Sequence, residues 1–330
     1  MRRRAVIGLV VVVAALAAAA VCAFYQGSAR GLESRKGRLS QALLRPAGAD
    51  RVSDLFDLDL ASTTGESVRA MLRVPSRSAP PHPAVVLVGG VELGRRVAAL
   101  SGLDDIARYA IIVSPDYPLR VERRAFEGFG LLAAAPRLRA GAFDLVAQVG
   151  LQVDYLLSRP DVARGQIFLV GSSFGAPAVV IAGGVDRRPA AVVALYSGGR
   201  IGPLVAHVLE QGGPEALPSW RAAAIGRGLA LLLMPLEPTR YAGRIAPRPL
   251  LMVNGAGDSL IPRECVEALF EAAGEPKEIL WLRGEHVQPD ERELIGAVSG
   301  WLAGWLVRRG LLPPEAGLAG ESGISRRANP

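Results

Sequence analysis

Residues 166–179, with the sequence QIFLVGSSFGAPAV, constrain the fold of this chain more than any other stretch. A short apolar run leads into a turn rich in glycine and serine, and small residues follow it. This pattern predicts a strand, a sharp turn and a helix. In a G-x-S-x-G turn the central serine, here Ser173, lies at the apex in a strained backbone conformation, and Gly171 and Gly175 let strand and helix approach closely. Ser173 is therefore a candidate nucleophile, although such a turn can also do no more than reverse the chain.

Similar apolar runs recur along the chain and alternate with helical patterns, which predicts an α/β domain over residues 51–310. A run such as AVVLV at 84–88 is typical of a parallel strand buried on both faces. Further strands are predicted over 110–113, 190–196, 249–253 and 278–282, and helices over 97–108, 142–157, 262–273 and 290–308. Upstream, 52–60 and 68–74 flank the turn STTG and predict an antiparallel pair. We therefore predict a mostly parallel sheet flanked by helices.

The alternation stops between residues 200 and 244, where two helical apolar runs are punctuated by prolines. This segment lies where an inserted helical cap would lie. Its aliphatic content suggests that it lines an apolar pocket. The alternative is a helix pair packed on the sheet. A second excursion, 119–139, is a candidate loop over the site.

The N-terminus has three arginines followed by a charge-free run over residues 5–25, which is long enough to cross a bilayer as a helix. Arginines before such a run stay in the cytoplasm, so the domain is expected to be extracytoplasmic, either membrane-anchored or secreted. We assign residues 1–29 to a signal peptide or signal anchor. Cleavage stays open, and the alternative is a buried core helix. Residues 30–50 are polar and predict a linker, and 311–330 predict a disordered tail.

Charge and cysteine content exclude several classes of function. The net charge is +7, but Arg2, Arg3 and Arg4 precede the domain, and the other arginines form no basic stripe interleaved with aromatic residues. Nucleic acid is therefore not an expected partner. Of the two cysteines, Cys22 lies in the leader, which leaves Cys265 alone in a predicted helix. No disulfide framework or metal site is expected.

A serine hydroxyl needs a base, and an imidazole base needs a carboxylate that fixes its tautomer. Among the three histidines, His286 follows a predicted strand in a loop, whereas His82 is predicted to be exposed and His207 to lie in a helical run. Asp258 follows the preceding strand in a glycine turn. The carboxyl ends of parallel strands share one edge of a sheet, so Ser173, Asp258 and His286 can converge there. Backbone N–H groups of Phe174 and of Gly90 or Val91 are candidate oxyanion donors.

These motifs resemble the α/β-hydrolases of the dienelactone-hydrolase and acetyl-xylan-esterase type. The resemblance covers about 52–308 and rests on GSSFG with Ser173, RIAPRPLLMVNGAGDSLIP with Asp258, and GEHVQPD with His286. It implies the α/β-hydrolase fold with an eight-stranded sheet, a covalent acyl-enzyme and no cofactor. Many relatives have His-Gly in the turn where this chain has Val88-Gly89-Gly90, so the first oxyanion donor stays open between Gly90 and Val91.

Three functions are compatible with this pattern. The first is a serine hydrolase that cleaves small-molecule carboxylic or thio esters through an acyl-enzyme on Ser173. The second is an acyltransferase that uses the same three residues with an acceptor other than water. The third is a hydrolase-fold binding module without catalysis, since the same fold hosts many functions. The N-terminal segment, where it is not cleaved, makes the membrane a further partner.

Overall fold

The computed structural model describes residues 26, 28–90, 93–118, 130–211, 216–288 and 290–317. Its centre is a nine-stranded sheet in the order β1-β2-β3-β5-β4-β6-β7-β8-β9. The strands are β1 (Leu39–Ala49), β2 (Ser53–Ser62), β3 (Ser67–Pro75), β4 (His82–Val88), β5 (Ile111–Pro115), β6 (Val162–Ser172), β7 (Ala191–Leu195), β8 (Leu250–Gly255) and β9 (Lys277–Leu282). From β5 to β9 all neighbours are parallel, whereas β1, β2 and β3 form an antiparallel extension. The predicted mostly parallel sheet is confirmed.

Helices cover both faces of this sheet. They are α1 (Ala29–Lys36), α2 (Asp104–Ala107), α3 (Gly130–Ser158), α4 (Ala176–Val185), α5 (Ile201–Glu210), α6 (Ser219–Leu233), α7 (Thr239–Ala242), α8 (Arg263–Ala272) and α9 (Arg292–Arg308). Alternate residues of each central strand point to opposite faces, so Val86 packs with α3 and α4, whereas Val85 packs with α9. Both faces are apolar, which explains why the central strands lack alternation.

The sheet has nine strands instead of eight because residues 39–49, predicted to be part of a linker, form β1. This strand pairs with β2 along its whole length. Its side chains are exposed except that of Leu39, which packs against the core, and the strand lies at the edge of the sheet. An edge strand of this kind has the composition of a linker, and its stability comes from backbone pairing that no side-chain pattern reveals. Before it, the predicted linker also forms α1, whose Lys36 is buried and paired with Asp154.

The crossover from β4 to β5 also differs from the prediction of one helix over 97–108. It consists of two 3-10 segments (Gly94–Ala99 and Ser101–Leu103) and the single turn α2. Arg73 of β3 is fully buried, and its guanidinium donates to the carbonyls of Ala98 and Leu100 and pairs with Asp104. These contacts attach the short turns of the crossover to β3, and the Leu100 carbonyl also accepts a backbone hydrogen bond from Leu103 within the turn.

The helical insertion between β7 and β8 contains α5 and α6, as predicted. The start of α5 is capped by a carboxylate, since the backbone N–H groups of Arg200 and Ile201 donate to Glu237. The other predicted excursion, 119–139, lies outside the described residues up to 129, and its remainder belongs to α3 instead of a loop.

At the C-terminus the chain stays ordered beyond α9. A 3-10 turn covers Pro314–Gly317, and Leu312 and Ala316 are buried in the core. The predicted disordered tail is therefore wrong for residues 311–317, and its remainder lies outside the described residues. Of the predicted signal segment, 1–29, residues 1–25 and 27 also lie outside them. None of the helices in the described ranges has the length and apolarity needed to span a membrane.

Candidate active site

Ser173 lies directly after β6, at a turn with an unusual backbone conformation. Its φ is 53°, in the left-handed region that non-glycine residues rarely adopt. The turn is possible because its glycines have no side chain: a Cβ at Gly171 would lie 2.6 Å from Ala176 Cα, and one at Gly175 would overlap the Val88 carbonyl. The strand, turn and helix predicted from the sequence are thus present, with the serine side chain at the apex.

The histidine and aspartate side chains meet this serine. His286 Nε2 lies 2.9 Å from Ser173 Oγ, and His286 Nδ1 lies 2.8 Å from Asp258 Oδ2. Asp258 follows β8 and His286 follows β9, as the sequence places them. The structure therefore brings together all three predicted residues, which are distant in the chain.

The Asp258 carboxylate is held in one orientation and kept ionised. Its Oδ1 accepts hydrogen bonds from the backbone N–H groups of Leu260 and Ile261. Burial alone would raise the pKa of Asp258, but the hydrogen bonds from His286 and from these backbone groups outweigh burial and lower the pKa. An ionised carboxylate only accepts hydrogen bonds, so His286 Nδ1 carries the hydrogen. In the neutral imidazole Nε2 is then free to accept the Ser173 proton.

The loops that carry the aspartate and the histidine support each other. The Gly257 N–H donates to the Gly284 carbonyl, and the Ser259 N–H donates to the Glu285 carboxylate. His207 of α5 contacts the Ser259 carbonyl at 2.8 Å, so the insertion touches the aspartate loop. On the other side, the Tyr196 ring meets the His286 imidazole edge-on at 5.1 Å. The His286 side chain is only 8% exposed, which protects its contact with the aspartate from water.

The turn after β4 lies beside Ser173. Its Gly89 carbonyl accepts a hydrogen bond from the Tyr117 hydroxyl. Because C=O and N–H of one trans peptide point in opposite directions, this bond also fixes the direction of the Gly90 N–H. Phe174 is the second residue of a 3-10 turn (Ser173–Gly175), where a backbone N–H has no acceptor within the turn. Gly90 and Phe174 both line the cavity that Ser173 lines, whereas Val91 lies outside the described residues.

The position of the site follows from the sheet topology. In the sheet, β5 lies on one side of β4 and β6 lies on the other. The chain after β4 therefore turns toward one face of the sheet, and the chain after β6 turns toward the opposite face. Such a switch point leaves a crevice at the carboxyl ends of the two strands. Ser173 and Gly89 lie at the two sides of this crevice.

Comparison with protein-family models and with curated proteins gives no match to the sequence. Solved structures do match. Acetyl xylan esterase 1 from Thermoanaerobacterium sp. JW/SL YS485 has a TM-score of 0.58 at 16% identity, over 82% of this chain and 90% of that one. The acetyl xylan esterase from Paenibacillus sp. R4 has a TM-score of 0.61 at 16% identity, over 82% and 91%. The α/β hydrolase GrgF from Penicillium sp. sh18 has a TM-score of 0.52 at 19% identity, over 77% and 96%. The chain has the α/β-hydrolase fold. The resemblance predicted from the sequence is confirmed at this level.

In this α/β-hydrolase fold a cavity of about 330 Å³ opens beside Ser173 and His286. It extends between the sheet and α9, and its walls come from β4, β5, β6, the crossover segment and α9. The aliphatic lining residues include Val85, Leu87, Leu103, Ile112, Val170 and Leu302. No described residue of 200–244 lines it. The expectation that the insertion lines the pocket is therefore wrong for the described residues, since the cavity lies on the other side of the site.

The remaining histidines and the cysteine lie outside the serine, histidine and aspartate contacts. His82 is buried at the start of β4, contrary to its predicted exposure. Cys265 is buried in α8, and burial raises the pKa of its thiol to about 11. Within the described parts of the chain, no group of three or more His, Cys, Asp or Glu side chains could hold a metal ion.

Sequence reasoning missed several residues that shape this site. Tyr117 follows β5 at the same edge of the sheet as the predicted residues, and its position after a strand is a signal that could have been used. Tyr196 directly follows β7 with a φ of 50°, and its position after a strand is a signal of the same kind. Ser299 of α9 lines the cavity because the last helix packs on the sheet. No local sequence pattern predicts which residues that packing brings to the cavity.

Proposed function

We propose that this chain is a serine hydrolase that cleaves carboxylic or thio esters of small molecules through an acyl-enzyme on Ser173. The observation that carries the proposal is the unbroken hydrogen-bond chain from Ser173 through His286 to Asp258. The solved acetyl xylan esterases of the same fold support ester chemistry in general.

In the proposed mechanism, His286 Nε2 accepts the Ser173 proton while Oγ attacks the ester carbonyl carbon. The imidazolium that forms is stabilised by the ionised Asp258, which also holds the ring in place. The carbonyl oxygen becomes an oxyanion, for which the N–H groups of Phe174 and Gly90 are the proposed donors. His286 then gives its proton to the departing alcohol or thiol. Water then attacks the acyl-enzyme while His286 Nε2 accepts a proton from it. The free acid leaves, and His286 returns the proton to Ser173 Oγ.

Hydrolysis of nitrophenyl acetate by the purified protein tests this function. Ser173→Ala is expected to lower kcat by roughly 10⁶-fold, because the nucleophile and its base act as a unit. Ser172→Ala is the matched control, since Ser172 ends β6 one residue before the apex. Equal activity of Ser173→Ala and the unmodified protein would contradict the proposal.

Hydrolysis and acyl transfer share every step up to the acyl-enzyme. Product analysis in the presence of alcohol, thiol or amine acceptors separates them, and the hydrolase proposal expects the free acid as the main product. We also propose that the domain is extracytoplasmic, anchored or secreted through residues 1–29. Labelling of intact cells with a membrane-impermeant serine-directed probe tests this location.

A further inference from the structure

The cavity beside Ser173 has the dimensions of a chain-binding site. Its volume of about 330 Å³ is that of roughly ten groups of the size of a water molecule or a methylene. Val85 and Leu87 of β4 form part of its floor. By strand register Val85 lies level with Phe168, which precedes Ser173 by five residues, or roughly 16 Å along the strand. The cavity is therefore deep in relation to its volume, which suits an extended chain.

The wall opposite β4 is formed by α9, and it is also deep and mainly aliphatic. Ile295, Ser299 and Leu302 lie on one face of α9 and line the cavity over about 10 Å of helix. Gly102 lets the crossover segment approach α9 closely, since a Cβ there would lie 2.9 Å from Ile295 Cγ2. The single polar side chain on this face, Ser299, is 3% exposed, and its hydroxyl has no hydrogen-bond partner among the described residues. Apart from this hydroxyl, the side chains that α9 contributes to the cavity are aliphatic.

The cavity exists because the crossover from β4 to β5 is thin. Two 3-10 segments and one turn of α-helix cover less of the sheet than a full helix does. Arg73 holds this segment through the Ala98 and Leu100 carbonyls, so it does not collapse into the gap. The space left between sheet and α9 is thus a built feature of the fold.

The order of events at Ser173 decides which part of an ester occupies such a cavity. The alcohol leaves first, while the acyl group is still bound to Ser173 at the entrance of the cavity. An alcohol inside the cavity would therefore have its exit blocked. The acyl group, by contrast, stays attached until water releases it as the free acid. A deep cavity closed by the sheet on one side and by α9 on the other therefore fits the acyl part.

We propose that this cavity binds the acyl chain of the substrate, and that the chain is unbranched, apolar and about six to ten carbons long. The inference rests on the proposed ester hydrolysis at Ser173. It assigns chain selection to the floor of β4 and to α9, where Ser299 and Leu302 determine how far the chain enters. The insertion formed by α5 and α6 has no part in this selection.

A series of nitrophenyl esters from acetate to hexadecanoate tests the proposal on the unmodified protein. We expect kcat/KM to rise about fourfold per methylene, as burial of each CH₂ predicts, and to fall beyond about ten carbons. A maximum at acetate would overturn the inference while leaving the proposed function intact. No hydrolysis of any ester would contradict the proposed function itself.

Two cavity variants with opposite effects locate the chain. Ser299→Phe fills the cavity and is expected to lower the ratio of octanoate to acetate kcat/KM at least about tenfold. Leu302→Ala enlarges the cavity and is expected to shift the optimum to longer chains. This second variant keeps the proposal testable if circular dichroism shows that Ser299→Phe does not fold. The matched control is Leu231→Ala in α6, where the side chain is 75% exposed. Unchanged ratios in both cavity variants, or a changed ratio in the control, would overturn the proposal.

Discussion

At the scale of single residues, Tyr117 connects both proposed oxyanion donors. Its hydroxyl donates to the Gly89 carbonyl, and its ring contacts the Phe174 ring at 5.6 Å between centroids. Burial raises the pKa of Tyr117, so the phenol stays protonated and remains a donor. Because the peptide between Gly89 and Gly90 is planar, the tyrosine fixes the Gly90 N–H without touching the substrate. We interpret Tyr117 as a positioning residue.

Tyr117→Phe is expected to lower kcat about tenfold with little change in KM, since the loss of a complete oxyanion donor costs roughly 10²- to 10³-fold and this variant only loosens one. The ring contact with Phe174 is kept. Tyr241→Phe is the matched control, because the buried Tyr241 hydroxyl also donates to a backbone carbonyl, that of Pro235, away from the site. Both variants lose stability, but only the first loses kcat. An equal kcat in both would contradict the positioning role.

The sequence could identify Ser173, Asp258 and His286 as candidates because each directly follows a strand of a parallel sheet, where topology brings the positions together. Tyr117 contributes through a contact with a backbone carbonyl, and Ser299 through the packing of the last helix on the sheet. Such contacts depend on the distance between elements, which periodicity and spacing do not contain. The roles of all these residues in catalysis remain predictions.

At the scale of elements, two glycines of α6 have opposite surroundings although they lie two residues apart. A Cβ at Gly226 would overlap the Gly202 carbonyl of α5, whereas one at Gly228 would meet nothing within 4 Å. Gly226 thus permits the close packing of α5 against α6. Gly228 has no packing role in the described structure and only lowers the helix propensity of α6.

Gly226→Ala is expected to destabilise the protein by about 1–3 kcal/mol, because the two helices must move apart. Gly228→Ala is expected to stabilise it by about 0.5–1 kcal/mol, since alanine favours the helical backbone. Denaturant unfolding of the two variants measures both changes. Changes of the same sign would show that the packing of α5 against α6 differs from the one described. Neither variant is expected to alter the chain-length preference.

Elements differed in how well they could be predicted, and burial explains the difference. The central strands were predictable because a run such as 84–88 is apolar on both faces. β1 was not, since its side chains are exposed and resemble a linker. The crossover after β4 has the apolar pattern of a helix but forms short turns. The buried Arg73 of β3 donates hydrogen bonds to two of its carbonyls, and this contact is distant in sequence. The pattern of 200–244 predicted its helices correctly and gave no information on which cavity they face.

At the scale of the whole molecule, the buried histidine His82 links stability to pH. It lies at the start of β4, and its Nδ1 is 3.4 Å from the Ser78 hydroxyl. Burial lowers the pKa of His82, the neighbouring Asp161 opposes this effect, and the charge of Arg159 adds to it. The unfolded chain therefore binds a proton at a higher pH than the folded protein does. Stability falls as pH decreases from about 6.5 toward the lower pKa of the folded state.

His82→Asn removes this titration. We expect the free energy of unfolding of the variant to depend less on pH between about 6.5 and 5 than that of the unmodified protein. His207→Asn serves as the control, because His207 belongs to the insertion and lies away from β4. Denaturant unfolding at several pH values measures the slope. A slope that His82→Asn leaves unchanged would show that other groups cause the acid sensitivity.

Stability and chemistry respond to acid through different groups. The hydrogen bonds to Asp258 lower its pKa despite burial, so this carboxylate stays ionised where His82 already reduces stability. For Asp258 the stabilisation is complete above the unfolded pKa of about 3.9 and is lost only as pH falls through the lower folded value. The orientation of His286 is thus maintained over the whole mildly acidic range.

The most direct test of the central claim is the site of covalent modification by a fluorophosphonate. Attack by a serine activated through His286 forms a stable phosphonyl adduct, which peptide mass spectrometry locates. We predict one adduct on Ser173, which Ser173→Ala abolishes and Ser172→Ala retains. An adduct on another residue, or undiminished labelling of Ser173→Ala, would contradict the assignment of Ser173 as the nucleophile.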